Sequence, residues 1–143
     1  MTWYCDSCGQ NILTAREGII EWKNTSESDR FDLHLVHNTT KCTYDGRSMY
    51  LLEKTTVSHS PLEWYLGDDG LMMLLEEISL DLFLNKREVI EMIKRLHING
   101  YDAVYTHIDE ACSEGVVECD RQLNSITQEN IKAIQEWLFK REL

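Results

Sequence analysis

Cys5-Asp6-Ser7-Cys8-Gly9 and His37-Asn38-Thr39-Thr40-Lys41-Cys42 are the two stretches that decide how this chain is read. Two cysteines separated by two residues can aim both sulfurs at one ion, and the glycine behind them relieves backbone crowding. A tetrahedral ion needs two more ligands, which His37 and Cys42 supply from either end of a tight loop. Three thiolates and one imidazole select zinc over magnesium or calcium. With Cys5, Cys8, His37 and Cys42 all engaged, no position is left for water, so the expected Zn2+ is structural and not catalytic. His34 and His59 stay open as alternatives to His37 for the fourth ligand. A redox role for the C-x-x-C pair is disfavoured, because no βαβ pattern surrounds it.

The residues around these stretches read as short strands. Gly18-Ile19-Ile20-Glu21-Trp22-Lys23 has strand character, and Phe31-Asp32-Leu33-His34-Leu35-Val36-His37 alternates apolar and polar positions. Asn24 to Asp29 reads as a polar hairpin loop, Tyr44-Asp45-Gly46-Arg47 as a turn, and Met49-Tyr50-Leu51-Leu52 as a further short strand. Zinc binding is worth on the order of 10 kcal/mol in small modules, enough to organise so slight a β unit.

Near residue 60 the pattern turns helical. Ser60-Pro61 opens a short helix, Leu62 to Leu66, which Gly67-Asp68-Asp69-Gly70 stops. A helix then runs from Leu71 to Leu84. Asn85-Lys86-Arg87-Glu88 has the form of a capping box for the next helix, whose expected inward residues are Val89, Ile90, Ile93 and Leu96, with Gly100 as its stop. Tyr101, Val104, Tyr105, Ile108 and Cys112 make another apolar row, ending near Gly115. Thr127 caps the last helix, with Ile131, Ile134 and Leu138 inward. The predicted fold class is α+β: a small zinc-stapled β unit over residues 1–60, followed by an acidic α-helical bundle over 61–143 that packs as one unit with it.

Composition narrows the function classes. Hydrophobic residues make up 43% of the 143, enough for a real core. No apolar run reaches the roughly 18 residues of a membrane span, and the N-terminus lacks the pattern of a secretory signal. Five cysteines, an odd number, suit metal ligation better than a disulfide framework, and a cytoplasmic location is expected. The net charge of -11 is uneven: residues 61–143 carry 8 basic and 17 acidic side chains. Such a field repels phosphate backbones and suits a basic protein partner.

Trp3-Tyr4-Cys5, Cys8-Gly9, Leu35-Val36-His37, Cys42, the block Leu66-Gly67-Asp68-Asp69-Gly70-Leu71-Met72 and the block Ile93-Lys94-Arg95-Leu96-His97-Ile98 together resemble small zinc-binding proteins of Bacillus-type bacteria and their phages. The resemblance covers most of residues 3–110. It implies a zinc-bearing N-terminal part and a helical remainder, and no activity. Asn99 departs from it, standing where a proline is expected.

Other constellations carry less. Cys112 and Cys119, with His107 nearby, have the residue types for a second metal site, but Cys112 falls on an apolar row where a thiol packs as a small hydrophobe. Gly67-Asp68-Asp69-Gly70 lacks the ligand order of a calcium loop. Lys94, Arg95 and His97 suit a helix C-terminus better than an anion site. No nucleophile motif or phosphate-binding loop is present, and the expectation is a non-enzyme. The leading expectation is a zinc-binding regulatory or adaptor protein acting through protein–protein contacts. The alternatives are a phage-type inhibitor whose acidic helices imitate nucleic acid, and a nucleic-acid-binding zinc protein using Lys86-Arg87 and Lys94-Arg95. Oligomeric state is not legible in the sequence.

Overall fold

The structure, a computed structural model, describes residues 1–119 and 126–143. It is a mixed α+β chain with a small antiparallel sheet and a Cys/His cluster at the N-terminus, followed by helices. The chain forms two compact units, Met1–His97 and Ile98–Leu143. The first unit therefore continues past the compositional change near residue 60.

In the first unit, β1 (Trp3–Tyr4) pairs antiparallel with β2 (Asn11–Ile12). The main sheet has three antiparallel strands in the order β4-β3-β5, with β3 (Gly18–Asn24) between β4 (Arg30–His37) and β5 (Thr56–Pro61). The register sets Ile20 opposite Leu35 and Glu21 between His34 and His59. Alternation sends these two sets to opposite faces. Ile20, Trp22, Leu33 and Leu35 join Leu74, Val89 and Met92 in one buried core. Fully burying a side chain such as Leu35 contributes about 2 kcal/mol. The sheet is thereby bound to α2 (Gly67–Ser79) and α3 (Lys86–His97).

Several local expectations are corrected. Residues 49–52 are not a strand: they lie in α1 (Gly46–Glu53). Asp45, expected in a turn, caps that helix by accepting from the amides of Arg47 and Ser48 at 3.2 and 3.3 Å. Gly67-Asp68-Asp69-Gly70 does not stop a helix; it is the first turn of α2. Gly70 is required there, since an added Cβ would run into the Tyr65 backbone. A single 3-10 turn, Leu62–Tyr65, replaces the short helix expected after Pro61. In α3, Val89 and Leu96 are buried as expected, but Ile90 is exposed and the inward set is completed by Met92 and Arg95. Asn85 does accept the Arg87 amide, at 3.0 Å. Glu88, however, accepts the Leu33 amide of β4 at 2.8 Å, which ties α3 to the sheet.

The second unit contains α4 (Tyr101–Val104), α5 (Ile108–Ser113) and α6 (Gln128–Arg141). Thr127 caps α6 through Oγ1, which accepts the Asn130 amide at 3.1 Å, and Ile131 and Ile134 are buried. Leu138 packs at the edge of the same core. Gly100 and Gly115 carry the positive φ expected of helix stops. Cys112 packs against this core as expected, and it is also disulfide-bonded to Cys119 with a Cα–Cα distance of 5.8 Å. That bond corrects the reading of these two cysteines as thiols, since both sulfurs are engaged with each other. Among the described residues no helix is long and apolar enough to cross a membrane.

Candidate metal centre

The four ligands reach one point by three local devices. The first is the knuckle. Cys5 donates its amide to the Gln10 carbonyl at 3.0 Å, and Gly9 donates back to the Cys5 carbonyl at 3.0 Å. Gly9 has a φ of 75°, a conformation that a residue bearing a Cβ adopts at a cost. The second is the end of β4. Asp6 bridges to this strand, its amide donating to the Leu35 carbonyl at 2.9 Å and its Oδ2 accepting the Leu35 amide at 2.9 Å. This places His37 beside the knuckle, with its own amide donating to Cys5 Sγ at 3.4 Å. The third is the loop to Cys42, closed by the Cys42 and Thr43 amides on the Thr39 carbonyl, both at 3.1 Å.

As a result, the ligand atoms of Cys5, Cys8, His37 and Cys42 all lie within 4.8 Å of one another, close enough to hold a metal ion. His37 Nδ1 is 3.4 Å from Cys8 Sγ and 3.9 Å from Cys42 Sγ. A zinc tetrahedron with metal–sulfur bonds of about 2.3 Å has sulfur–sulfur edges of roughly 3.8 Å, so the cluster is near its closed dimensions. The outer nitrogen of His37, Nε2, is 3.1 Å from the Asn11 carbonyl. A carbonyl only accepts, so Nε2 carries the proton and Nδ1 turns its lone pair toward the sulfurs. His34 and His59 are not in the cluster. His34 contacts Tyr44 and Asp32, at 2.8 Å each, and His59 is paired with Glu21 across the sheet.

The electrostatics suit a cation. At Cys5, burial opposes ionisation, but the amides of Cys8, His37 and Ser7 and the His37 side chain outweigh it and lower the thiol from 9.0 to about 7. At Cys8 the Gln10 amide favours the thiolate, yet desolvation and the neighbouring sulfurs of Cys5 and Cys42 win, and its pKa is raised. A divalent ion held among these sulfurs would offset the repulsion between thiolates.

The centre is fastened from α3 by a residue that the sequence did not single out for this task. Arg95 directs Nη1 to Asp6 Oδ2 at 2.8 Å and Nη2 to the Tyr4 carbonyl at 2.8 Å, and its side chain is 4% exposed. The signal was present: in the row Val89, Met92, Leu96, Arg95 shares the inward face. A charge on that face requires a partner, but the partner lies 89 residues away in sequence. His97, considered as part of an anion site, has Nε2 against the Tyr65 carbonyl at 2.8 Å. His107 and Cys112 are not brought into any metal-holding group among the described residues.

No family model matches this chain, and neither a curated protein nor a solved structure matches it.

Proposed function

We propose that this is a non-enzymatic zinc protein that acts as a regulator or adaptor through contacts with a basic protein partner. The convergence of four soft ligands, with the outer nitrogen of His37 already engaged, carries this reading. Filling the tetrahedron with protein ligands leaves zinc as a structural staple and gives it no substrate position. The acidic surplus beyond residue 60 supports the sign of the partner. The placement of the basic residues supports a protein partner over a nucleic acid. Lys86 pairs with Asp81 at 3.6 Å, Lys94 pairs with Glu91 at 3.8 Å, and Arg95 is spent internally on Asp6. Of the four cations in Lys86-Arg87 and Lys94-Arg95, two thus have a carboxylate beside them at the surface and a third is buried.

Metal analysis tests the centre. The purified chain is expected to carry one zinc ion, and Cys42→Ser to lose it. Cobalt substitution should give the intense visible bands of a tetrahedral thiolate site. A metal-free chain that folds normally would remove the zinc reading. Capture on the zinc-loaded chain at low salt tests the adaptor role, where recovery of nucleic acid in place of a basic protein would reverse it.

A further inference from the structure

On the sheet face opposite the helical core, Glu21 is 2% exposed. Among the described residues, its carboxylate accepts from the Tyr44 amide alone, at 3.2 Å from Oε1 and 3.3 Å from Oε2. Among the described residues no lysine or arginine pairs with it, although Lys23 and Asp32 nearby pair with each other at 3.3 Å. A buried carboxylate without a counterion is costly unless something else supplies the charge. Burial accordingly pushes its pKa up, and Asp32 adds to the rise.

Glu21 is also not enclosed on all sides. It lines a pocket of about 400 Å³, together with the apolar side chains of Ile19 and Val57, the rim residue His59, and Asn38, Thr39, Thr40, Thr43 and Tyr44 of the following loop. A volume of this size is in the range that holds small ligands or a single long side chain. The combination is specific in type: an apolar wall for an alkyl stem, and an anion at the base for a planar or compact cation. His34 and His59 flank Glu21 in the sheet register, yet the three form no metal-holding group among the described residues. The site therefore lacks the ligand geometry for an ion of its own.

We propose that this pocket binds an alkylguanidinium head group, with the guanidinium on the Glu21 carboxylate and the alkyl stem between Ile19 and Val57. Two carboxylate oxygens sharing one amide donor leave acceptor capacity for the paired N–H groups of a guanidinium, a fork that an ammonium cannot match. The proposal deepens the adaptor reading and rests on it for the source of the cation: an arginine side chain of the basic partner. A free guanidine compound has the same chemistry, and the test separates the two.

The zinc-loaded full chain is titrated with N-acetyl-argininamide by calorimetry, with amide shifts followed in parallel. Saturable binding with shifts centred on Glu21, Tyr44 and Val57 is expected. N-acetyl-citrullinamide, which has the same shape without the charge, should bind at least tenfold more weakly. Glu21→Gln should lose tenfold or more while retaining its zinc. Should that variant fail to fold, Val57→Phe, which fills the pocket from its apolar wall, is expected to give the same loss. Equal binding of the two amides, or shifts elsewhere, overturns the proposal. A short arginine peptide binding more tightly than agmatine assigns the site to a protein side chain, and the reverse order to a free small molecule. Zinc content read on the same samples keeps the two claims apart. Failure to bind on zinc-loaded protein sinks the pocket alone, whereas a pocket that binds argininamide while no basic protein is captured sinks the adaptor reading alone.

Discussion

Replacing Arg95 with methionine removes the charge that joins α3 to the metal knuckle while keeping most of the apolar stem. Its hydrogen bonds to Asp6 and to the Tyr4 carbonyl are 2.8 Å each, and its side chain is 4% exposed against 16% for Asp6. Breaking a buried ion pair by removing one partner costs about 3 to 5 kcal/mol. Asp6 keeps the Leu35 amide and some contact with water, so the low end applies, about 3 kcal/mol. With a urea slope of about 2 kcal/mol/M, the midpoint should fall by about 1.5 M. Unfolding is followed by tryptophan fluorescence in a Trp137→Phe background, so that Trp3, Trp22 and Trp64 report the first unit alone. Free zinc is buffered at one level throughout, because ligand binding to the native state shifts apparent stability by mass action.

The same pair offers an internal control. Asp6→Asn retains an oxygen for the Leu35 amide and removes the carboxylate opposite Arg95. If the two residues act through each other, the double variant costs less than the sum of the single ones by about 2 kcal/mol. Additive losses within about 0.5 kcal/mol refute the coupling. In that case Arg95 stabilises the fold through packing alone, and its link to the metal centre is incidental. A second readout follows from position: Asp6 lies between Cys5 and Cys8, so both single variants should weaken zinc retention against a chelator, while a core variant of equal cost, such as Leu74→Ala, should not.

Gly70→Ala forces a Cβ against the Tyr65 backbone and should cost about 3 kcal/mol in the same urea assay. A change below about 0.5 kcal/mol would show that the 3-10 turn yields. Thr127→Ala removes the side-chain acceptor of the α6 cap and should cost about 1 kcal/mol, read from the Trp137 signal of the second unit. Glu77 is a buried carboxylate whose pKa is raised by burial against a smaller opposing effect of Arg30. The native state then holds its proton more tightly than the unfolded chain, so its contribution to stability is fully present below the ordinary glutamate value and is lost as pH rises through the raised one. Glu77→Gln should therefore gain stability relative to the parent between acid and neutral pH, and a difference that is flat with pH would contradict the burial assignment.

The metal centre was legible because its ligands are chemically uncommon residues at local spacings: one turn sets Cys5 and Cys8, and one loop sets His37 and Cys42. The choice of His37 over His34 and His59 was less so, since it depends on the Asn11 carbonyl arriving from β2. The strands Gly18–Asn24 and Arg30–His37 announced themselves through alternation, and Thr127 and Gly100 through their fixed roles at helix ends. What failed has a common physical origin. Asp45-Gly46 suits both a turn and a helix start, and Leu51 and Leu52 are exposed, so no burial period separates the two. β5 has only Val57 as a strongly apolar residue, and its strand conformation comes from pairing along β3, a long-range contact. Arg95 read as a cation at a helix C-terminus and Glu88 as the acid of a capping box, because their partners, Asp6 and Leu33, are remote in sequence.

Residues 37–45 join functions that the sequence presents as unrelated. His37 and Cys42 belong to the Cys/His cluster, the amide of Tyr44 meets the buried Glu21 carboxylate, and Asp45 starts α1. Between them, Asn38, Thr39, Thr40 and Thr43 form one wall of the pocket over Glu21. Few backbone bonds hold this segment to the sheet: Asn38 reaches the Glu17 carbonyl at 2.7 Å, and the Thr39 carbonyl is used within the loop. A segment with so few ladder contacts keeps its shape by other constraints, and metal bonds through His37 and Cys42 would be the strongest available. On the zinc reading, the wall of the pocket would depend on the metal, although none of the four clustered residues lines the pocket itself. Stripping zinc should release the Tyr44 amide from Glu21 before it disturbs β3, where Ile20 remains paired with Leu35 in the core. Hydrogen exchange would see this as early loss of protection at Tyr44 with Ile20 still protected.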